Sequence, residues 1–278
     1  MIRPTFHNLH TDLGKLLLCR GVLQFAIASC FLIALSACHQ MRPVETSTAL
    51  IHSAPTRALS TSAVNKKITA ILLNGIAERK AEGGAAVLVE AHTGQIMSVA
   101  SIVTPTAPDW EEFRYNRAVT PVHELGSVFK TFTIAQAVDA ELVAPETMLT
   151  IPPTLRIGRF QIRDFERLNE HITVRDAFLR SSNIGSAQIS QLIGSEAQQN
   201  FFGELGLLSP HPLEERYPTQ IKQRHPSNWS NLVAATASFG HGLTASPLQI
   251  AGAYSSLING GLRVQLSTVP LPQFRRRV

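Results

Sequence analysis

One short motif, Ser127-Val-Phe-Lys130, carries a hydroxyl and an amine at a spacing that suits covalent chemistry. Residues at positions i and i+3 share one face of a helix, so the Lys130 amine can reach the Ser127 hydroxyl. A buried lysine loses its proton more easily than a solvated one and can then act as a base. A helix N-terminus also favours the negative charge that develops on an attacking serine. The spacing is compatible with a lysine-activated serine nucleophile, but a chain of this length yields about one such match by chance, and a serine at a helix start with a lysine one turn later is the alternative.

The residues after the motif predict the helix that must hold it. Gly126 permits a tight entry, and apolar residues then lie nearly all round the helix, which indicates a buried central helix rather than a surface one. The apolar positions are Val128, Phe129, Phe132, Ile134, Ala135 and Val138.

A second polar motif, Ser181-Ser-Asn183, lies about fifty residues further on. It follows a short helix that Thr173 could cap, with Asp176 at the third position reaching back to the cap. This is the only Ser-x-Asn in the chain.

The context of the first motif resembles the active-site segment of penicillin-binding proteins. Asn116-Arg-Ala and Glu124-Leu-Gly-Ser127 match the usual NRA and EPGS wording of that family, except that Leu125 stands where the family has Pro. Ser181-Ser-Asn183 matches the second motif of the family at the expected distance. The resemblance covers roughly residues 64–264 and is closest to the transpeptidase domains of class B, division-type members.

Two further stretches extend the resemblance. Residues 85–100 read as two strands around a Thr93-Gly94 turn, like the first hairpin of the family. Residues 238–249, followed by a helix to Gly260, resemble the stretch before the third motif of the family. The resemblance implies an α/β (α+β) fold of the penicillin-binding/β-lactamase-like type, with an antiparallel sheet and a helical region.

The resemblance also implies the roles of the site residues. Ser127 would attack the penultimate D-Ala of a peptidoglycan stem peptide, and Lys130 would take its proton. Ser181 would relay a proton to the leaving amine, and Asn183 would hold the substrate amide. β-Lactams are then expected as covalent ligands, division or cell-wall proteins as partners, and neither a cofactor nor a metal is expected.

The third motif of the family, Lys-Thr-Gly or Lys-Ser-Gly, does not occur after the second motif in this sequence. Lys222 is the last lysine, and residues 265–278 read as an atypical tail, which suggests a frameshift or early stop near Val264. We therefore expect the C-terminal strands of the fold to be missing and catalysis to be impaired.

Two other functions stay open at this point. One is a non-catalytic remnant that binds peptidoglycan or a protein of the cell envelope. The other is a β-lactamase or β-lactam sensor with the same serine–lysine chemistry. Class A β-lactamases use a Glu-x-x-Leu-Asn loop after the second motif, whereas Glu166-Arg-Leu-Asn169 is one residue short and precedes it. The β-lactamase alternative therefore ranks last.

The N-terminus predicts export and attachment to a membrane. A basic start leads into the apolar run of residues 21–38, which ends in Leu35-Ser-Ala-Cys38 and matches a bacterial lipobox. Residues 1–38 are thus either a lipoprotein signal with lipidation at Cys38 or an uncleaved anchor in the inner membrane. Both place the domain in the periplasm. Residues 39–63, rich in Ser, Thr and Pro, read as a flexible linker.

Composition limits the remaining possibilities. With 278 residues and 44% hydrophobic content, the chain is long enough for one domain and a leader. The net charge of +5 is concentrated at the two termini, so the body has no basic excess for nucleic acid. All three cysteines lie in the leader, which leaves the exported part without a disulfide. No group of His, Cys and Asp shows the spacing of metal ligands.

Overall fold

The computed structural model describes residues 50–52, 62–104, 116–120, 123–211, 213, 223–269 and 276–277. These residues form two compact units. The helical unit contains Glu124–Glu204 and Arg224–Thr244, and the sheet unit contains the described parts of Phe25–His123, Leu205–Gln223 and Ala245–Val278. The predicted leader with Cys38 lies outside the described residues.

Short strands predominate in the first part of the described chain, and five consecutive helices follow them before the last two strands. The strands are β1 Leu50–His52, β2 Gly83–Val89, β3 Ile96–Val103, β4 Met148–Thr150, β5 Leu155–Ile157, β6 Phe160–Ile162, β7 His171–Thr173, β8 Leu262–Arg263 and β9 Arg276–Arg277. The helices are α1 Ala63–Arg79, α2 Phe129–Asp139, α3 Val174–Leu179, α4 Asn183–Ile193, α5 Ser195–Glu204, α6 Asn231–Ala237 and α7 Pro247–Ile258, with a 3-10 turn at Gly126–Val128. Within the described part of the chain, no helix has both the length and the apolar character that crossing a membrane requires.

The sheet unit is built on the hairpin that the sequence predicts. Strands β2 and β3 pair antiparallel, with Ala86 opposite Ala100, and β1 pairs with the other edge of β3 in the order β1-β3-β2. Helix α1 packs on this sheet. Its buried Asn65 accepts hydrogen bonds from the Ser98 hydroxyl at 2.7 Å and the Val99 amide at 3.1 Å. The strand β1 lies within residues 39–63, the predicted linker.

The segment after α7 returns to the turn of this hairpin. The Ile96 amide donates to the Ser267 carbonyl at 2.8 Å, and the Ser267 amide donates to the Gly94 carbonyl at 3.1 Å. Leu266 packs against the apolar cluster that contains Ile96 and Leu248. Residues 265–267, which begin the predicted tail, are thus joined to the sheet by hydrogen bonds and apolar contacts.

The helical unit is organised around α2. Phe129 and Phe132 are fully buried and meet edge to face with ring centroids 5.9 Å apart, while Phe202 of α5 lies 5.7 Å from Phe129. The prediction of a buried central helix after Ser127 is confirmed. The rest of the core is drawn from α2, α3, α4, α6 and the short strands: Ile134, Ala137, Leu149, Ile172, Val174, Ala177, Ile184, Ala187, Ile189 and Ala235.

Helix α3 begins as the sequence predicts. The Thr173 hydroxyl accepts from the Asp176 amide at 3.0 Å, and the Asp176 carboxylate receives the Thr173 amide and hydroxyl. This reciprocal capping box fixes where α3 starts. Ser181 follows the end of α3 after one further residue. The cap, which sets where α3 begins, therefore helps to set the position of the second motif.

Candidate active site

The nucleophile candidate, Ser127, lies in a tight turn at the start of α2. Gly126 has φ +56°, a left-handed conformation that favours glycine, and Gly240 packs directly against the Gly126 carbonyl. A side chain at Gly240, which has φ +78°, would collide with that carbonyl. Because both glycines adopt positive φ and lack side chains, the segment after α6 can pack against the turn that contains Ser127. The Ser127 side chain stays exposed.

Ser127, Lys130 and Ser181 form a closed triangle of polar atoms. Lys130 Nζ lies 3.0 Å from Ser127 Oγ and 2.8 Å from Ser181 Oγ, and the two hydroxyl oxygens are 3.0 Å apart. Lys130 also donates to the Ser181 main-chain carbonyl at 2.6 Å. The structure therefore brings together three of the four residues that the two motifs predict, although Ser127 and Ser181 are separated by 54 positions in the chain.

The surroundings of Lys130 make its amine easier to deprotonate. Its side chain is 2% exposed, and burial lowers its pKa from 10.5 to about 8, against a smaller opposing effect of the Asp164 carboxylate. A neutral amine has a lone pair that can accept the Ser127 proton. Because Ser181 Oγ contacts both Ser127 Oγ and Lys130 Nζ, it can pass a proton between them or onward to a leaving group.

Ser181 is held in an uncommon backbone conformation. Its φ is +55°, although it is not glycine, and it is the middle one of the three residues, Arg180 to Ser182, that connect α3 and α4. The Ser181 amide donates to the Phe178 carbonyl at 3.1 Å. This turn directs both the side chain and the carbonyl of Ser181 toward Lys130. Strained conformations of this kind persist where the surrounding contacts hold them and occur often at functional sites.

Asn183, the fourth predicted residue, is the first residue of α4. It follows Ser181 by two positions, but its side chain contacts a different segment of the chain. Its side-chain Nδ2 donates to the main-chain carbonyl of Arg163 at 3.1 Å. A primary amide has two donor hydrogens and an acceptor oxygen, and this contact uses one donor. It orients the amide group.

The loop after β6 contributes residues that sequence reasoning missed. Asp164 accepts from the Ser182 hydroxyl at 2.9 Å and from the Ile184 amide at 3.0 Å, and Arg163 binds Asn183 as described. These residues precede the second motif by about twenty positions, and they carry no pattern that marks them in the sequence. Only the fold reveals them.

A hydrogen-bond contact between two side chains lies at the entrance to the nucleophile turn. His241 Nδ1 lies 3.1 Å from a Glu124 carboxylate oxygen, 117 positions away in the chain. Both side chains are more than a third exposed, so the pair contributes little to stability. Together with the Gly240–Gly126 contact, it joins the segment after α6 to the segment before Ser127.

Comparison with known families and proteins agrees with this geometry. Residues 84–271 match the model of the penicillin binding protein transpeptidase domain. The chain is 30% identical over 200 residues to the probable peptidoglycan D,D-transpeptidase FtsI of Caulobacter vibrioides, covering 69% of this chain and 33% of that protein. It is 34% identical over 195 residues to the probable peptidoglycan D,D-transpeptidase PenA of Neisseria gonorrhoeae, covering 68% and 33%.

A solved structure extends the agreement to the fold. The transpeptidase domain of penicillin-binding protein 3 from Burkholderia pseudomallei, in its apo form, superposes with a TM-score of 0.66 at 26% identity, covering 78% of this chain and 63% of that one. The expected α/β fold of the penicillin-binding type is confirmed. The chain spans about a third of the length of the curated relatives named above.

Proposed function

The chain belongs to the transpeptidase-domain family of penicillin-binding proteins, and from this premise we propose that it is a peptidoglycan D,D-transpeptidase that works through a serine acyl-enzyme. The observation that carries the proposal is the triangle of Ser127, Lys130 and Ser181, with a buried amine 3.0 Å from an exposed hydroxyl. The proposed substrate, peptidoglycan, is supported by the relatives of the chain, which are named probable peptidoglycan D,D-transpeptidases.

In the first half of the reaction, neutral Lys130 takes the Ser127 proton as Oγ attacks the carbonyl carbon of the penultimate D-Ala. A bond forms between Oγ and this carbon, and the peptide bond to the terminal D-Ala breaks. Ser181 delivers a proton to the leaving amine, which departs as D-Ala. Asn183 holds an amide of the bound stem peptide through the polar groups that its contact with Arg163 leaves available.

In the second half, an amine of a neighbouring stem peptide attacks the acyl-enzyme. Its nitrogen forms the new peptide bond, its proton returns through Ser181 and Lys130, and Ser127 Oγ leaves as the hydroxyl. A β-lactam would acylate Ser127 by the same first step, with opening of its four-membered ring in place of the loss of D-Ala.

A β-lactamase would require a group that hydrolyses the acyl-enzyme. The near match to the β-lactamase loop contains Glu166, whose carboxylate faces Arg180 at 3.9 Å with 73% of its side chain exposed. An exposed glutamate in a surface ion pair is poorly suited to activate a water beside a buried lysine. This observation favours a long-lived acyl-enzyme, as in a transpeptidase, over rapid hydrolysis.

The proposal is tested by labelling the full chain with a fluorescent penicillin. We expect covalent labelling of the unaltered chain, and none of Ser127→Ala. Ser227→Ala serves as the matched control, since Ser227 is an exposed serine of the same unit and should label normally. Equal labelling of Ser127→Ala would contradict the nucleophile assignment. A folded but unlabelled chain would favour a non-catalytic binding protein.

We further propose that residues 1–38 attach the protein to the inner membrane, that residues 39–63 link this segment to the domain of residues 64–264, and that the domain acts in the periplasm. The mass of the mature N-terminus distinguishes the two forms of attachment. A diacylglyceryl group on Cys38 with loss of residues 1–37 indicates a lipoprotein, and an intact leader indicates an anchor. A soluble chain without either would contradict the proposal.

A further inference from the structure

Asp164 lies where the loop after β6 meets the second motif. Its carboxylate receives two hydrogen bonds from the first turn of α4, one from the Ser182 hydroxyl at 2.9 Å and one from the Ile184 amide at 3.0 Å. Ser182 is also the N-cap of α4, and its Oγ accepts from the Gly185 amide at 2.8 Å. One carboxylate therefore binds both the cap residue and an amide of the first turn of this helix.

The contacts of Asp164 with Ser182 and Ile184 restrict the backbone next to Ser181. Ser181 precedes the cap residue, and its φ of +55° is held between the end of α3 and the start of α4. The neighbouring residue, Arg163, binds Asn183 from the same loop. The loop after β6 thus contacts the second motif at Ser182 and Asn183.

We propose that Asp164 is a positioning residue of the reaction: it fixes the Ser181–Asn183 turn so that Ser181 meets Ser127 and Lys130 at hydrogen-bonding distance. This inference rests on the proposed function and deepens it. Asp164 belongs to neither motif, and its role is to act through Ser182 and Ile184 rather than on the substrate.

The electrostatic effect of the carboxylate supports the same assignment. Asp164 is the charged group that raises the pKa of Lys130, opposing the effect of burial. Arg163 of the same loop contacts Thr154 and Gln161, and Glu166 faces Arg180, which follows α3. Arg175 of α3 pairs with Glu146, and Asp176 caps that helix. The remaining charged residues of the loop are Arg167 and Glu170. Removal of the Asp164 charge should therefore lower the pKa of Lys130 further.

Two substitutions separate the geometric effect from the electrostatic one. In Asp164→Asn, the side-chain oxygen can still accept from the Ile184 amide, so the turn is largely kept while the charge is lost. In Asp164→Ala, both the contacts and the charge are lost. We expect the second-order rate constant of penicillin acylation to fall roughly 10- to 100-fold in Asp164→Ala, because small misplacements of catalytic groups have effects of this size.

The pH profile of acylation shows whether the role is more than structural. We expect its inflection to move to lower pH in Asp164→Asn. Asp176→Asn is the matched control, since Asp176 caps α3 in the same unit. It should weaken the fold without moving the inflection. A profile for Asp164→Asn that coincides with that of the unaltered chain would overturn the electrostatic part of the inference.

Amide hydrogen exchange provides a readout that does not depend on activity. In Asp164→Ala, the amides of Ile184 and Gly185 should exchange faster than in the unaltered chain, while those of α2 should not change. Unchanged protection at α4 would overturn the positioning role. If the unaltered chain takes no penicillin but the exchange result holds, the proposed function fails and the structural link between Asp164 and the turn stands.

Discussion

The chemistry of the candidate site depends most on the proton affinity of one residue, Lys130. A solvated lysine with a pKa of 10.5 is neutral in only about one molecule in three thousand at pH 7. Lys130, with its pKa lowered to about 8 by burial, is neutral in roughly one molecule in ten. The difference is what allows a lysine to act as the base for a serine in neutral solution.

This leads to a prediction on pH dependence. If neutral Lys130 is the base, the rate of acylation by a penicillin rises with pH and levels off above about 8, the pKa of Lys130. The measurement is the second-order rate constant of acylation of the full chain between about pH 6 and about pH 10, an interval that extends roughly two pH units to either side of the expected inflection. A flat profile across this interval would show that Lys130 does not supply the base.

The backbone of Ser181 gives a second prediction at this scale. Ser181→Ala and Ser181→Gly both remove the hydroxyl, so both should lower the acylation rate to the same extent. Only glycine adopts φ +55° without strain, and a left-handed conformation costs other residues about 1 kcal/mol or more. We expect Ser181→Gly to be more stable than Ser181→Ala by about 1 kcal/mol in urea unfolding. Equal stabilities would indicate that Ser181 is not held in this conformation in solution.

Some of the site could be predicted from the sequence and some could not, for a physical reason. Ser127 and Lys130 are three positions apart, across the 3-10 turn and the first turn of α2, so their contact could be predicted from their spacing. Ser181 was associated with them by its resemblance to a family motif, since no local rule brings together residues 54 positions apart. Asp164 acts through hydrogen bonds to a helix start elsewhere in the chain, and no sequence spacing encodes such a contact.

At the scale of elements, the approach of α3 to α4 depends on Gly185. A Cβ atom at this position would lie 2.9 Å from the Cβ of Ala177, closer than real Cβ atoms come, and 3.2 Å from Ser182 Oγ, which is a tight contact. The absence of a side chain at Gly185 therefore lets α3 and α4 pack closely just where the second motif joins them. The cap of α3 could be predicted from Thr173, but this close packing could not, because it depends on a contact between two helices.

The third prediction follows from this contact. Gly185→Ala should lower the free energy of unfolding by about 1–3 kcal/mol, because it overpacks the contact between the two helices. Gly203→Ala, in α5 of the same unit, is the matched control. It meets nothing within 4 Å and should stabilise by a few tenths to about 1 kcal/mol through its better helix propensity. Urea unfolding of both variants checks this, and a neutral Gly185→Ala would contradict the packing.

At the scale of the whole molecule, the sheet unit gathers segments from distant parts of the chain. The hairpin of β2 and β3 was predictable from two largely apolar stretches around a Thr93-Gly94 turn, because that pattern is local. The return of residues 262–267 to the hairpin was not, and the sequence assigned the residues after 264 to an atypical tail. The hydrogen bonds of Ser267 to Gly94 and Ile96 give this segment a structural role that its composition does not indicate.

The last prediction tests that role at Gly94. Gly94 has φ +69°, and a side chain there would collide with the main-chain carbonyl of Gln265. Gly158, in the β5–β6 turn, has a similar φ of +58° but meets nothing within 4 Å, so it isolates the cost of the left-handed conformation, about 1–2 kcal/mol.

We therefore expect Gly94→Ala to be less stable than Gly158→Ala by a further 1–3 kcal/mol or so, since it must also displace residues 264–267. Hydrogen exchange should show the Ile96 and Ser267 amides losing protection in Gly94→Ala alone. If both variants lose the same stability and those amides stay protected, residues 264–267 do not pack on the hairpin in solution. The core of the sheet unit would then be held together without this segment.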